Sequence, residues 1–226
     1  MSELVLGIDT SNRVAVGLAR DERVLATQLV GDTRSHVELL AQTISSVLAQ
    51  AGVGMRDVTR IGVGVGPGPF TGLRVGIATA IVLGQALDVP VTGVCSLDVI
   101  ALQHAARLPY GDSCFVTVLD ARRHEVYWAR YDASGLRLTG PFVGAPAVLP
   151  GLPVVGPGVE VYPQLAGHGA PDTCPLDAGY LAANLDQLPD VGLEPLYLRQ
   201  PDADLPSTRK STIVGGHLRL PVGATQ

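Results

Sequence analysis

The stretch Gly66-Pro67-Gly68-Pro69-Phe70-Thr71-Gly72-Leu73-Arg74-Val75-Gly76 limits what this chain can fold into more than any other. Prolines hold φ at about −65° and remove backbone donors, while glycines permit positive φ and close approach, so the segment is a rigid loop pressed against its neighbours. The apolar run 60–65 precedes it and reads as a buried strand. Residues 73–87 follow with helix length and stop short of Pro90, and Thr71 is the expected N-cap. Strand, rigid loop and helix in this order can cradle a phosphate, because the first amides of a helix lack internal partners. The same order also makes a purely structural turn, the reading favoured here because glycine-rich loops match by chance. There is no GxxxxGK[ST], and the only lysine is Lys210, which excludes a Walker-type nucleotide site.

Around this unit the elements fall into a recognisable order. Residues 4–9, 14–18 and 24–30 read as three strands of a meander, the last two separated by the polar turn Arg20-Asp21-Glu22. A helix over 36–51 follows, opened by a capping box of Ser35 and Glu38 and closed by Gly52. Val37, Leu40, Ile44, Val47, Leu48 and Ala51 form its apolar stripe. With a short strand at 91–94 the order is βββαβαβ. A Rossmann sheet begins β-α-β instead, so the order fits the mixed sheet of ribonuclease-H-like folds. Ser96, before Leu97-Asp98-Val99, is the expected N-cap of another helix. The programme then restarts: 115–120, 125–131 and 136–142 form a second meander with Asp120 in the place of Asp9, and Val154-Val155-Gly156-Pro157-Gly158 echoes the segment 63–68. Only 178–188 offers a clear late helix. The expectation is an α/β chain of the actin-like ATPase (ASKHA) class, built from two tandem related halves: residues 1–100, a reduced second half at 101–200, and a tail at 201–226 with no assigned role.

Composition narrows function further. With 226 residues, 46% hydrophobic and 16% charged, the chain can bury a sizeable core. A net charge of −5 and a pI near 5.4 argue against a broad nucleic-acid footprint, so RNA contact is expected to be local or made through partners. Cys95, Cys114 and Cys174 lack metal spacing and read as buried or incidental thiols in a reducing compartment. His104, His124, His168 and His217 have no carboxylate or cysteine at ligand spacing, so no metal is expected. The start, MSELVLGIDTS, lacks the basic and long apolar regions of a signal peptide, and no uncharged apolar run reaches the ~20 residues of a membrane span. A cytoplasmic protein without a membrane partner is expected.

Five segments occur in a telling order: GIDTS at 7–11, SHVELL at 35–40, GPGPFTGLRVG at 66–76, LDARRHEVYWARY at 119–131 and PLYLR at 195–199. Together they closely resemble the bacterial TsaB (YeaZ) family, from the first strand to about Arg199. The resemblance implies a place in the complex that puts threonylcarbamoyl on adenosine 37 of tRNAs reading codons that begin with A. In that family a catalytic paralogue, TsaD, transfers the group from threonylcarbamoyl-adenylate, an ATPase, TsaE, assists turnover, and TsaB-like proteins are the non-catalytic scaffold. The catalytic relative carries a His-x-x-x-His pair at the first long helix, which puts two imidazoles on one face to hold a metal. Here His36 is followed four residues later by Leu40, so no catalytic metal site is implied.

Individual residues keep two readings. Asp9, Thr10, Ser11, Gly66, Gly68 and Asp120 are weak candidates for contacting a nucleotide phosphate or metal. For Asp9 and Asp120 capping of a strand end is the plainer role. No cofactor is expected for the chain alone, while a nucleotide at an interface shared with a partner remains open. Asp120-Ala121-Arg122-Arg123 suits either a phosphate or RNA backbone, or a solvated hairpin edge. The helix over 73–87 is apolar nearly all round and needs cover on more than one side. Its row of small residues Gly76, Ala80 and Gly84 would admit a neighbouring helix, from a partner or from the second half. The expected partner-facing set is His36, Leu39, Leu40, Thr43, Val47, Arg74, Gly76, Ile77, Ala80, Ile81 and Gly84. Expected partners are a TsaD-like transferase, a TsaE-like ATPase and, for the chain alone, a second copy. Two other functions compete. One is an ATP-dependent small-molecule kinase or ATPase of the actin-like superfamily using Asp9 and the glycine loop, disfavoured by the missing metal pair and the thin second half. The other is a protein that only self-associates.

Overall fold

The structure, a computed structural model, describes residues 2–31, 36–107, 113–162, 164–165 and 172–199, with backbone alone at 36–38. The capping box of Ser35 and Glu38, the His36 side chain, His168, His217, Lys210 and the tail 201–226 lie outside the described residues.

β1 (Leu4–Asp9), β2 (Val14–Arg20) and β3 (Arg23–Val30) form the expected meander. The second and third strands reach further than the apolar pattern indicates because their turn is very tight. Asp21 takes φ 54°, its amide donates to Glu3 O at 2.8 Å, and its Oδ1 accepts from the Glu3 amide at 2.9 Å. Then come α1 (His36–Ala51), β4 (Arg60–Gly64), α2 (Phe70–Leu87), β5 (Val91–Val94) and α3 (Ser96–Arg107). The sheet order is β3-β2-β1-β4-β5, with β4 and β5 parallel along β1 and β2 and β3 antiparallel. β6 (Phe115–Asp120), β7 (Val126–Tyr131), β8 (Arg137–Gly144) and the two-residue β9 (Val154–Val155) make a second sheet, ordered β8-β7-β6-β9, and the one-turn helix α4 (Gly158–Val161) follows it. Its pairing repeats that of the first, antiparallel across β6, β7 and β8 and parallel from β6 to β9. This repeat gives the fold its actin-like class.

Alternation along β1 sorts the core into two layers. Leu4, Leu6 and Ile8 face α1 and α2, where Leu40, Ile44, Val47, Leu73, Ile77 and Ala80 close one core. Val5, with Ala15 and Ala19 of β2, faces the opposite way against α3 and α5 (Ala178–Ala183). Asp177 caps α5, its Oδ1 accepting from the Gly179 amide at 2.8 Å. The helix is shorter than the predicted 178–188: it stops at Asn184, whose amide group donates to Tyr180 O at 2.9 Å, and a 3-10 turn follows at Leu185–Gln187. The sheet under α5 is floored with glycine, since a Cβ on Gly7 would overlap Ala178 O and one on Gly17 would overlap the Gly179 amide. A helix from late in the chain therefore covers the first sheet.

Two caps differ from expectation. α2 begins at Phe70 with Pro69 as its N-cap, so Thr71 is an exposed residue within the first turn. Ser96 opens α3, but its hydroxyl turns to Asp9 Oδ2 at 2.6 Å. Among the described residues α2 is the one helix long and apolar enough to cross a membrane, and its inner residues Leu73, Ile77 and Ala80 pack in the core.

Candidate functional site

The GIDTS turn after β1 and the glycine-proline loop after β4 lock into one another. Asp9 Oδ1 accepts from the Ser11 amide at 2.8 Å and the Ser11 hydroxyl at 2.6 Å. Ser96, which takes Asp9 Oδ2, also accepts from the Gly66 amide at 3.3 Å, so one serine ties β1 to the start of the loop. The Thr10 hydroxyl donates to Gly72 O at 2.8 Å. Glycine is required wherever the segments touch: a Cβ on Gly64 would overlap the Asp9 carboxylate, one on Gly68 would lie 2.6 Å from Ser11 O, and one on Gly76 would overlap the Thr10 hydroxyl. Burial pushes the Asp9 carboxyl above its ordinary range, against the opposing pull of its bonds to Ser11 and Ser96.

The six weak candidates therefore separate. Asp9, Thr10, Ser11 and Gly66 are buried in a closed junction whose hydroxyls serve the chain itself. The cavity that Asp9 lines together with Pro157 and Glu160 of the second half is about 20 Å³, room for about one water. Asp120 and Gly68 line a different cavity of about 190 Å³ with Phe70, Arg122, Arg123 and Arg199. The two aspartates that sequence symmetry pairs thus face separate spaces.

Asp120 performs a cap, its Oδ1 accepting from the Arg122 amide at 2.8 Å. That oxygen also accepts the Tyr162 hydroxyl at 2.6 Å, a partner no sequence pattern indicated. The turn it holds carries positive φ at three successive non-glycine residues, Arg122, Arg123 and His124, at 63°, 52° and 61°. The opposite wall is the segment 195–199. Leu196 N donates to Val65 O at 2.9 Å, Tyr197 stacks on Phe70 with centroids 4.9 Å apart, and Arg199 donates to Ala121 O at 3.1 Å and pairs with Glu125. Arg74 lies 3.8 Å over the Phe70 ring and donates to the Tyr197 hydroxyl at 3.0 Å. The family segment PLYLR is thus a strap joining the N-terminal end of α2 to the β6–β7 turn. Arg122, Arg123 and Arg199 line this cavity, but Arg122 faces Asp120 Oδ2 at 3.4 Å and Arg199 pairs with Glu125, so two of the three charges are already answered within the chain. Among the described residues no group of three His, Cys, Asp or Glu side chains converges as metal ligands would.

The expected partner-facing set needs correction. Leu40, Thr43, Val47, Gly76, Ile77, Ala80 and Gly84 are buried within the chain. The small-residue row lets α2 approach its own sheet: Gly76 rests on Thr10, and a Cβ on Gly84 would overlap the Val91 side chain. Neither a partner nor the second half fills that groove. Of the set, Arg74 is exposed and Leu39 and Ile81 are half-buried. The outward faces are instead Ala41, Gln42, Ser45 and Ala49 on α1 and Ala78, Val82, Gln85 and Ala86 on α2.

A duplicated β-sheet plan, with the turn after β1 and the glycine-proline loop packed on one another, defines a protein of the actin-like class. The sequence profile of the family described as "TsaD: tRNA N6-adenosine threonylcarbamoyltransferase" matches residues 31–184. The chain belongs to this family and, within it, to the TsaB (YeaZ) proteins. An uncharacterized protein of Mycobacterium leprae is 42% identical over 223 residues, 95% of this chain and 60% of that protein. The Bacillus subtilis "tRNA threonylcarbamoyladenosine biosynthesis protein TsaB" is 32% identical over 128 residues, 56% of this chain and 54% of that protein. The chain thus spans about 60% of the first relative's length, and its match to the second covers about half of each. The solved structure of YeaZ from Pseudomonas aeruginosa superposes with a TM-score of 0.69 at 26% identity, covering 87% of this chain and 100% of that one.

Proposed function

We infer that this chain acts in the biosynthesis of tRNA threonylcarbamoyladenosine as a non-catalytic scaffold subunit that binds a TsaD-like transferase. The names of its TsaB relatives support the pathway. The outer surface of α1 and α2 carries the scaffold reading: from Leu39 to Ala51 no residue is charged, and from Phe70 to Leu87 only Arg74 is. Val82 stands 61% exposed at the centre of the α2 face. Depletion of charge across small and apolar residues is the compositional mark of an interface core. The same face would pair two copies when the transferase is absent. A TsaE-like ATPase joins the assembly, and tRNA is met mainly through the partners, as the acidic balance of this chain favours. A nucleotide at an interface shared with a partner would need that partner to enlarge the arginine-lined cavity beside the N-terminal end of α2, which is about 190 Å³ in the chain alone. The competing kinase reading loses support from the closed junction at Asp9, since small-molecule sites need about 300 Å³ or more.

The test is Val82→Glu in the full chain. The residue is exposed, so melting should shift by no more than the ~0.5 kcal/mol usual for surface changes. Titration calorimetry against the TsaD-like protein of the same organism should show binding collapse. A folded variant that binds with wild-type affinity would refute association through this face.

A further inference from the structure

The two sheets are covered unequally. Helices lie on both faces of the first, whereas on the outer face of the second Val116, Val118 and Val126 are closed in by α4 and the turns beside it, through Leu149, Val159, Tyr162 and Leu165. Among the described residues that cover stops short of β8. Trp128, on the same face of β7 as Val126, is half-buried, and Phe142 opposite it on β8 is 45% exposed, with the two ring centroids 4.9 Å apart. Gly144 pairs with Val126, and a Cβ on it would stand 3.1 Å from Val148, which is 60% exposed. Trp128, Phe142 and Val148 therefore make one apolar strip. A single exposed apolar residue is ordinary, but a continuous strip with an aromatic pair in it is a surface for another body to cover. Pro141 in β8 lacks an amide donor and guards the strand's free edge, so the face rather than the edge is open to docking.

The sequence supplies such a body. Residues 217–222, His-Leu-Arg-Leu-Pro-Val, place Leu218, Leu220 and Val222 at every second position, so an extended backbone sets all three on one side. Beyond Asp204 stand three of the chain's 16 basic residues, Arg209, Lys210 and Arg219, and none of its 21 acidic ones, so attraction to the acidic body adds to the apolar contact. Reach is ample. Arg199 is held at the β6–β7 turn by Ala121 O and Glu125, and Trp128 lies three residues along the chain from Glu125, about 10 Å. Residues 200–217 span up to about 60 Å when extended. A segment tethered this closely acts at an effective concentration of about 1 mM, so three side chains suffice to seat it.

We propose that residues 217–222 dock across the outer face of the second sheet, with Leu218, Leu220 and Val222 against Trp128, Phe142 and Val148. The tail completes the cover that α4 leaves unfinished. This seat is separate from the α1–α2 face of the scaffold reading and does not depend on it.

Trp128 is the only tryptophan, so its fluorescence reads the cover directly. The full chain carrying Leu218→Asp together with Leu220→Asp should still melt cooperatively, but its emission should move to the red and acrylamide should quench it more steeply than the native chain. Lys210 is the only lysine, so a lysine-specific protease severs the tail once. The cut protein should show the same red shift, and the peptide 211–226 added back at about 1–10 mM should reverse it. Equal emission and equal quenching in the native chain and the double variant would overturn the proposal and leave the strip to another protein. A native emission that moves to the red as the protein is diluted would overturn it too, because the cover would then come from a second copy.

Discussion

Replacing Asp9 by Asn removes the single charge at the centre of the loop junction while preserving its shape. The carboxylate accepts three hydrogen bonds, from the Ser11 amide, the Ser11 hydroxyl and the Ser96 hydroxyl. An asparagine keeps the first two on its carbonyl oxygen. Its NH₂ then confronts Ser96, whose oxygen already accepts from Gly66 and whose proton loses its acceptor. A hydrogen bond to a charged group contributes about 1.5–3 kcal/mol, and the cheaper burial of a neutral amide offsets part of the loss. The net cost is about 1–2 kcal/mol at neutral pH, a Tm lower by roughly 2–8 °C for a chain of this size. The pH dependence has a definite sign. Burial holds the folded carboxyl above its unfolded value of 3.8, so the folded state keeps the proton more tightly. The group's contribution to stability is therefore greatest below the unfolded pKa and falls as pH rises through the folded one. Asparagine does not titrate, so the cost of Asp9→Asn should be larger near pH 4 than near pH 8 in paired urea denaturation series. A cost that grows with pH would mean that the three donors outweigh burial and that Asp9 is a stabilised anion.

Other outcomes follow from the same packing. Asp120→Asn should cost under about 1 kcal/mol in a urea melt, since one oxygen still accepts from both Arg122 and Tyr162. Gly17→Ala drives a methyl into the backbone of α5 and should lower the urea midpoint by the equivalent of about 1–3 kcal/mol or more without changing the slope. Ala80→Glu buries an unpaired carboxylate at a position with 0% exposure, so it should abolish cooperative melting, in contrast with Val82→Glu. Burial and the Asp98 carboxylate push the Cys95 thiol up to about 12, and burial pushes Cys174 up to about 11, whereas Cys114 is half-buried. Ellman's reagent at pH 8 should therefore titrate one thiol quickly and the other two only on unfolding.

The meander, the first crossover and the rigid loop were legible because each rests on local signals: alternation in β1, the Gly-Pro punctuation, and Pro90 ending α2. The repeat in the second half was legible for the same reason along β6 and β7. What faces what was not. Gly76, Ala80 and Gly84 mark a close approach in the sequence, but helical spacing does not say whether the approaching body is another helix or the sheet beneath, and Thr10 and Val91 decided it. Thr71 is a good cap in isolation and lost the position to Pro69. The partnership of Asp9 with Ser96 spans 87 residues, and that of Asp98 with Tyr131 spans 33, so no local pattern carries either. The strap over 195–199 was visible only as a family segment. Its role emerged when Tyr197 was found on Phe70 and Arg199 on the β6–β7 turn.

The placement of α5 bears on how the protein is made. By Val94 a ribosome has delivered every strand of the first sheet, together with the two helices that cover one of its faces. The other face, floored by Gly7 and Gly17, waits for Ala178, about 84 residues later. At ~5–20 residues per second that interval is roughly 4–17 s, during which Val5, Ala15 and Ala19 lack the helix that finally shelters them. A nascent chain stalled in this window should engage holdase chaperones strongly, and one released after Ala183 should not.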